Sequence, residues 1–316
     1  MTERVLITGG TGFVGRHLCR KLAEDGYRVR AALRSSAALP EGTDDAVVVG
    51  EVGSRTGWAH ALRDVDLVVH AAARVPTPDA DVNYIETNAL GTRTLAEASA
   101  YAQVKRLVLL SSVKVNGGES AAHAYCASDA PNPQDEYARS KWQAERFVSE
   151  ICEKSTMQYA IIRPPIVYGP GVRANFLRLM NCVEREYPLP VGAIQNRRSM
   201  LNVWNLSDLI ARVLSHPVVN RTWMASDGED LSTADLVRRI AAAMGRKPRL
   251  LSVPEPLLRF GGLVTGQGTA ISRLCGSLRV NIEDTRELLG WLPPTSVDAA
   301  LEKTVAWYHA RPRSSP

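Results

Sequence analysis

The chain has 316 residues, 45% of them hydrophobic, and 38 Lys+Arg against 33 Asp+Glu give a formal net charge of +5. This length suits one large α/β unit or two closely joined domains, with ample apolar material for a core. The positive excess is compatible with small phosphate-bearing ligands, but it is too mild and too scattered to argue for nucleic acid.

The cysteines (Cys19, Cys126, Cys152, Cys182 and Cys275) are odd in number and widely spaced. They form no C-x-x-C or His/Cys cluster, so no metal site is expected. Reduced thiols in a cytoplasmic protein fit this usage better. The opening "MTERVLITGG" runs straight into a strand without a signal-peptide pattern. No apolar run reaches the roughly 18 residues that a membrane span needs.

In chain order, "RVLITG" reads as a first strand, and "GFVGRHLCRKLAEDG" as a helix ending at Gly26. "YRVRAALR", "DAVVVG" and "VDLVVHAAA" are three more strands, and a long helix is expected over residues 82–102. "RLVLLSS" is a fifth strand, residues 136–154 a second long helix, and "QYAIIRPP" a sixth strand. These strands are apolar without in/out alternation, as expected when both faces are covered. The fold class is therefore α/β, a doubly wound parallel Rossmann sheet. After Arg163 the pattern changes to a Pro/Gly-rich loop, short helices and isolated strands ("SMLNV", "TWMAS"). We place a dinucleotide-binding domain at 1–165 and a mainly substrate-binding region at 166–316, with some strands returning to the first domain.

"TGGTGFVG" joins the first strand to the first helix, with Gly9, Gly12 and Gly15 at three-residue spacing. Glycines there let the backbone turn tightly and approach a pyrophosphate, which then sits at the helix N-terminus. The end of the second strand selects the cofactor. It carries Arg34 where an acid would bind the ribose 2′-hydroxyl of NAD. A guanidinium suits a 2′-phosphate, so NADP(H) is favoured over NAD(H). The plainer reading is a surface arginine, with NAD held by backbone contacts.

Tyr-x-x-x-Lys occurs twice, as "YAQVK" (Tyr101, Lys105) and "YARSK" (Tyr137, Lys141). On a helix this spacing puts both side chains on one face. The first pair precedes a strand and lies at its amino end. The second follows the loop after that strand's carboxyl end, where ligands bind in doubly wound sheets. "YARSK" is thus taken as the working pair.

Together these segments resemble the extended short-chain dehydrogenase/reductases over nearly the whole chain. "TGGTGFVG" is similar to that family's T-G-x-x-G-F-x-G, and "VVHAAA" to its H-x-A-A segment. "TNALGT" resembles its Asn segment, and "LLSSVKVNG" its S-S-x-x-V-Y-G, with Asn116 replacing the usual tyrosine. The resemblance implies that Gly9, Gly12, Phe13, Val14, Gly15, Arg34, Glu51, Val52, Ala71, Ala72, Ala73, Asn88, Ser111, Tyr137, Lys141 and Pro164 contact the cofactor. Glu51 stands where the family has an Asp reaching the adenine, and Asn88 lies on the nicotinamide side. Tyr137 would be the general acid, Lys141 would lower its pKa and hold the ribose, and Ser112 would donate to the reacting oxygen. Proton transfer of this kind is worth roughly a hundred- to ten-thousand-fold.

For substrate, the resemblance points to a UDP-sugar held by Ser112, Lys114, Asn175 and Arg198, with Arg273 or Arg279 as a second phosphate contact. Dehydratases of the family carry Asp-Glu after the catalytic Ser/Thr. Here Val113 and Lys114 occupy those places, which argues against elimination. "SSVKVNG", "RPPIVYGPGVRANF" and "NRRS" are most similar to bacterial O-antigen reductases. These convert UDP-2-acetamido-2,6-dideoxy-4-hexulose to UDP-N-acetyl-quinovosamine. A UDP-glucose or UDP-N-acetylglucosamine 4-epimerase with tightly held NAD is the alternative. A non-enzymatic sensor would not need the Ser112–Tyr137–Lys141 set. The family also implies a homodimer through the two long helices.

Overall fold

The structure, a computed structural model, describes residues 2–36, 38–76, 83–120, 123–266 and 268–311. The first half builds β1 (Arg4–Thr8), α1 (Phe13–Glu24), β2 (Arg28–Leu33), β3 (Asp45–Val48), β4 (Leu67–His70), α2 (Gly91–Tyr101), β5 (Arg106–Leu110), α3 (Glu136–Glu153) and β6 (Gln158–Arg163). Then come β7 (Ile166–Tyr168), α4 (Ala174–Glu184), β8 (Arg198–Asn202), α5 (Val203–Ser215), β9 (Arg221–Met224), β10 (Asp230–Leu231) and α6 (Thr233–Ala243). Helices α7 (Glu255–Val264), α8 (Gly268–Cys275), α9 (Glu283–Leu289) and α10 (Val297–Ala310) complete the described elements.

The main sheet has seven strands in the order β3-β2-β1-β4-β5-β6-β9, and every pairing in it is parallel. Side chains alternate between two cores, so both faces must be apolar. Val5 and Ile7 pack with Leu18 of α1 and Leu206 of α5. Leu6, Leu107 and Leu109 pack with Leu95 of α2 and Val148 of α3. The seventh strand, "RTWM", comes from the C-terminal half and buries Trp223 and Met224 against the first core. A smaller sheet, β10-β8-β7, anchors the other C-terminal elements over a third core.

The helix expected over 82–102 begins at Val82, outside the described residues, and its described part is not regular. Residues Ile85–Leu90 form a π-helical turn that leads into α2. The cause is Asn88, which is fully buried. Its Oδ1 accepts from the Arg74 N–H at 2.8 Å, and its Nδ2 donates to the Arg74 carbonyl at 2.9 Å and to Ser140 Oγ at 3.1 Å. One side chain therefore ties the segment after β4 to α3, and the extra residue in the turn accommodates it.

The strand order reverses direction between β1 and β4, the crevice where open α/β sheets bind ligands. The glycine-rich loop and the segment after His70 meet there. A Cβ on Gly15 would stand 2.0 Å from the Gly9 carbonyl oxygen, and one on Gly9 would meet the Ala72 nitrogen at 2.8 Å. Gly9 also has φ +74°. Gly15→Ala should therefore lower stability by about 3 kcal/mol, the upper end for overpacking. Chemical denaturation measures this, and an unchanged midpoint would show that the turn can open.

Candidate active site

The carboxyl ends of β1, β4, β5 and β6 carry the site. At the first two, His70 is buried between threonines. Its Nδ1 lies 2.7 Å from Thr8 Oγ1 and its Nε2 2.9 Å from Thr92 Oγ1. Thr92 donates to the Asn88 carbonyl and Thr8 accepts from the Ala72 N–H. One proton arrangement satisfies this chain: Nε2 donates and Nδ1 accepts. Burial, then the charge of Lys141, pushes the His70 pKa down to about 3. Through Thr8, the neutral imidazole holds Ala71 and Ala72 against Gly9, with Ala73 next in the chain.

Beyond β5, Ser112 is extended and caps a short 3₁₀ turn, with its Oγ accepting from the Lys114 N–H at 3.3 Å. Helix α3 begins with Asp135, whose Oδ1 accepts from the Ala138 N–H at 2.7 Å. That cap sets Tyr137 in the first turn, facing the end of β5. Tyr84 stands edge-on to the Tyr137 ring at 6.0 Å, and Lys114 Nζ lies 5.7 Å from its centre. Burial pushes the Tyr137 phenol up to about 12, against the pull of the Ser112 hydroxyl. Lys141 is one turn further along and 1% exposed. Burial lowers its pKa to about 8, while the Glu145 carboxylate acts in the opposite direction.

Tyr101 and Lys105 lie at the other end of the sheet. Tyr101 is 92% exposed, and Lys105 Nζ pairs with Glu3 at 2.9 Å and Asp66 at 3.0 Å.

The residues present fit a nicotinamide dinucleotide. Gly12 caps α1 without any side-chain hydrogen bond, leaving first-turn N–H groups for an anion. Lys141 is buried, yet its Nζ donates no hydrogen bond among the described residues. Phe13 packs beside Gly171, Val14 packs on the first core, and Val52 abuts Gly91. The Pro164 carbonyl accepts from the Val113 N–H at 3.0 Å, joining the end of β6 to the 3₁₀ turn after Ser112. At the end of β2 Arg34 pairs with Glu51 at 3.3 Å, and Glu51 also pairs with Arg74 at 3.1 Å. Ser111 is buried and donates to Glu145, so its hydroxyl is already engaged.

On the substrate side, Lys114 Nζ bonds Asp135 Oδ2 at 2.5 Å. Arg198 Nη1 donates to the carbonyls of Arg273 (2.9 Å) and Gly276 (2.8 Å). The Arg273 charge acts on both Asp135 and Arg198. A cavity of about 430 Å³ lies beside Glu119, Asn196, Arg259 and Gly276, and Ser112, Tyr137 and Lys141 do not line it. Asn175 is exposed in the first turn of α4, and no contact ties it to Tyr137 among the described residues. A larger cleft of about 800 Å³, between Arg197, Asp230, Arg238 and Arg286, likewise contains none of Ser112, Tyr137 and Lys141.

Sequence reasoning missed Thr8, Thr92, Arg74, Asp135 and the Glu145–Arg163 pair. Only Asp135 had a local signal, an Asp directly ahead of a helical pattern.

If burial of Lys141 is a cost borne for function, removing its charge should not weaken the fold. Lys141→Met should abolish turnover yet melt no lower than the parent near neutral pH. A drop of several degrees would make Lys141 a structural residue. Because its folded pKa is lowered, the unfolded chain binds more protons from about pH 8 to its ordinary value near 10.4. Lys141 therefore makes the parent's stability rise with pH in that window, a slope the variant should lose.

Residues 5–224 match the NAD dependent epimerase/dehydratase family. The chain is 38% identical to a UDP-glucose 4-epimerase of Vibrio cholerae over 313 residues, covering 96% of this chain and 95% of the relative. It is 31% identical to a ceramide reductase of Caulobacter vibrioides, covering 97% and 94%. The fold superimposes with a TM-score of 0.78 on a UDP-glucuronic acid 4-epimerase from Bacillus cereus solved in complex with NAD, at 20% identity and 97% and 98% coverage. No described helix is long and apolar enough to cross a membrane. Glycine loop, neutral histidine, Ser-Tyr-Lys set and matched length agree: the chain belongs to the NAD dependent epimerase/dehydratase family, the extended short-chain dehydrogenase/reductases.

Proposed function

We propose that this chain oxidises and reduces carbon 4 of a UDP-linked sugar, with 4-epimerisation as the leading activity. The observation that carries this is the meeting of Ser112 and Tyr137 at the end of β5, with Lys141 one turn along α3 and Lys114 over the Tyr137 ring. The Vibrio relative supports the epimerase reading, at 38% identity over nearly the full length.

A bound dinucleotide would supply or take up hydride. Tyr137 moves the proton at the sugar O4. Ser112 holds that oxygen. The Lys141 ammonium favours the phenolate when Tyr137 must act as base, and its unengaged donors would bind a ribose hydroxyl. Arg198 and Lys114 offer cations to a diphosphate.

A carboxylate does stand near Lys114, though not in the chain positions where a dehydratase carries it. It is Asp135. Burial would raise its pKa, but Lys114, the Ala138 N–H and Arg273 together hold it below the usual range. An anion committed to a helix cap is a poor proton donor, which disfavours elimination.

Reduction of a 4-keto sugar to the UDP-N-acetyl-quinovosamine type is a second reading, favoured by Arg34. Its side chain is 68% exposed at the end of β2, ready for a 2′-phosphate. That chemistry consumes NADPH and must release the product. Cofactor identity separates the two. For the epimerase, the purified chain should retain NAD, convert UDP-N-acetylglucosamine or UDP-glucose to the C4 epimer, and lose roughly a hundredfold or more of kcat in Tyr137→Phe. Substrate-dependent NADPH loss with the 4-keto sugar, and no epimer, would establish the reductase instead.

A further inference from the structure

Directly behind the catalytic helix lies a buried polar network that the proposed chemistry does not use. Glu145, Arg163, Ser111 and Asn116 are each 4% exposed or less. Arg163 Nη2 meets Glu145 Oε2 at 2.6 Å, and its Nε meets Oε1 at 2.9 Å. Ser111 donates to the same carboxylate. The remaining Arg163 donor, Nη1, reaches Asn116 Oδ1 at 3.1 Å, and Asn116 Nδ2 donates to the Cys126 carbonyl at 3.0 Å. Three elements are thus joined: the end of β5, the middle of α3 and the end of β6.

Such a pair is expensive to bury and weak evidence of stability by itself. Its position suggests another use. Glu145 lies four residues after Lys141 on α3, so both side chains occupy one helix face. Both are 2% exposed or less. No other carboxylate acts on Lys141 among the described residues. Glu145 and His70 act on it electrostatically, Tyr137 precedes it by one turn, Tyr84 and Lys114 stand against the Tyr137 ring, and Arg163 holds Glu145. His70 is neutral, and Arg163 and Lys114 are cations. Glu145 is the anion of this set.

We infer that Glu145 is a positioning residue for catalysis: held by Arg163 and Ser111, it keeps the buried Lys141 in its ammonium form and aligned under Tyr137. Ser111 would act through Glu145 rather than by touching the cofactor. Asn116 completes the Arg163 side of the clamp, at the place where the family usually has tyrosine.

The protonation of Lys141 can be read without any substrate. The chain has seven lysines, so their Cε NMR shifts can be followed through a pH titration of the full chain, with Lys141→Arg identifying the signal. Glu145→Gln removes the anion and leaves the Arg163 cation, so the Lys141 pKa should fall by roughly one unit or more. The Glu145→Gln/Arg163→Gln double variant removes both charges. Its Lys141 pKa should lie between those of the single variant and the parent. This variant also avoids the lone buried charge that could unfold the single one. If Lys141 titrates in the folded double variant at the parent value or above it, the network is only a packing device and the inference fails. Neither result depends on which sugar or cofactor the chain uses.

Discussion

Lys141 holds an ammonium where the fold offers almost no water and, among the described residues, no hydrogen-bond acceptor. Taking such a charge out of water costs several kcal/mol unless neighbours compensate. The surroundings are arranged around that cost. The imidazole of His70 is kept neutral, so it adds no second positive charge. The nearest carboxylate follows one helical turn later and is locked by Arg163. Helix α3 is pinned at its start by the Asp135 cap and in its middle by Glu145, so the lysine cannot swing out to solvent. A donor left idle inside a well-packed protein is a place prepared for a ligand.

The same economy governs the glycine loop. Gly9 and Gly15 are in backbone contact, and Gly9 also abuts the chain after β4. The loop is held by sterics rather than by side chains, which leaves the N–H groups at the start of α1 directed outward. Asn88 does comparable work from the opposite wall. Its Oδ1 accepts from Arg74 and both Nδ2 hydrogens are donated, to Arg74 and to Ser140. Both walls are packed and hydrogen-bonded without a ligand, the condition under which electrostatic stabilisation costs little reorganisation.

The substrate side is more open and more polar. Arg198 is held by two carbonyls, while Arg273 lies exposed nearby. Lys114 is drawn to Asp135 and lies near the Tyr137 ring, so a ligand anion there would compete directly with the helix cap. The end of β2 shows the same pattern, with Glu51 shared between Arg34 and Arg74. Exposed ion pairs of this kind are worth little and exchange readily. Specificity can therefore be tuned at both rims without disturbing the core between them.

Much of this was legible in the chain itself. Glycine spacing after an apolar strand, unalternating strands and Tyr-x-x-x-Lys after a loop are local patterns with local physical causes. Even the choice between the two tyrosine motifs followed from which end of a parallel strand each one meets. What the sequence could not show depends on residues far apart in the chain. Thr8 and Thr92 bracket His70 across 62 and 22 positions. Arg163 meets Glu145 only because β6 lies beside β5 and under α3. The π-helical turn at Asn88 likewise has no periodic signature, because its cause is a hydrogen bond to a residue 14 positions earlier. Sequence determined the elements and the reacting groups, since both rest on short-range spacing. Tertiary structure decided the charge state of those groups, since that depends on burial and on partners brought together by the sheet.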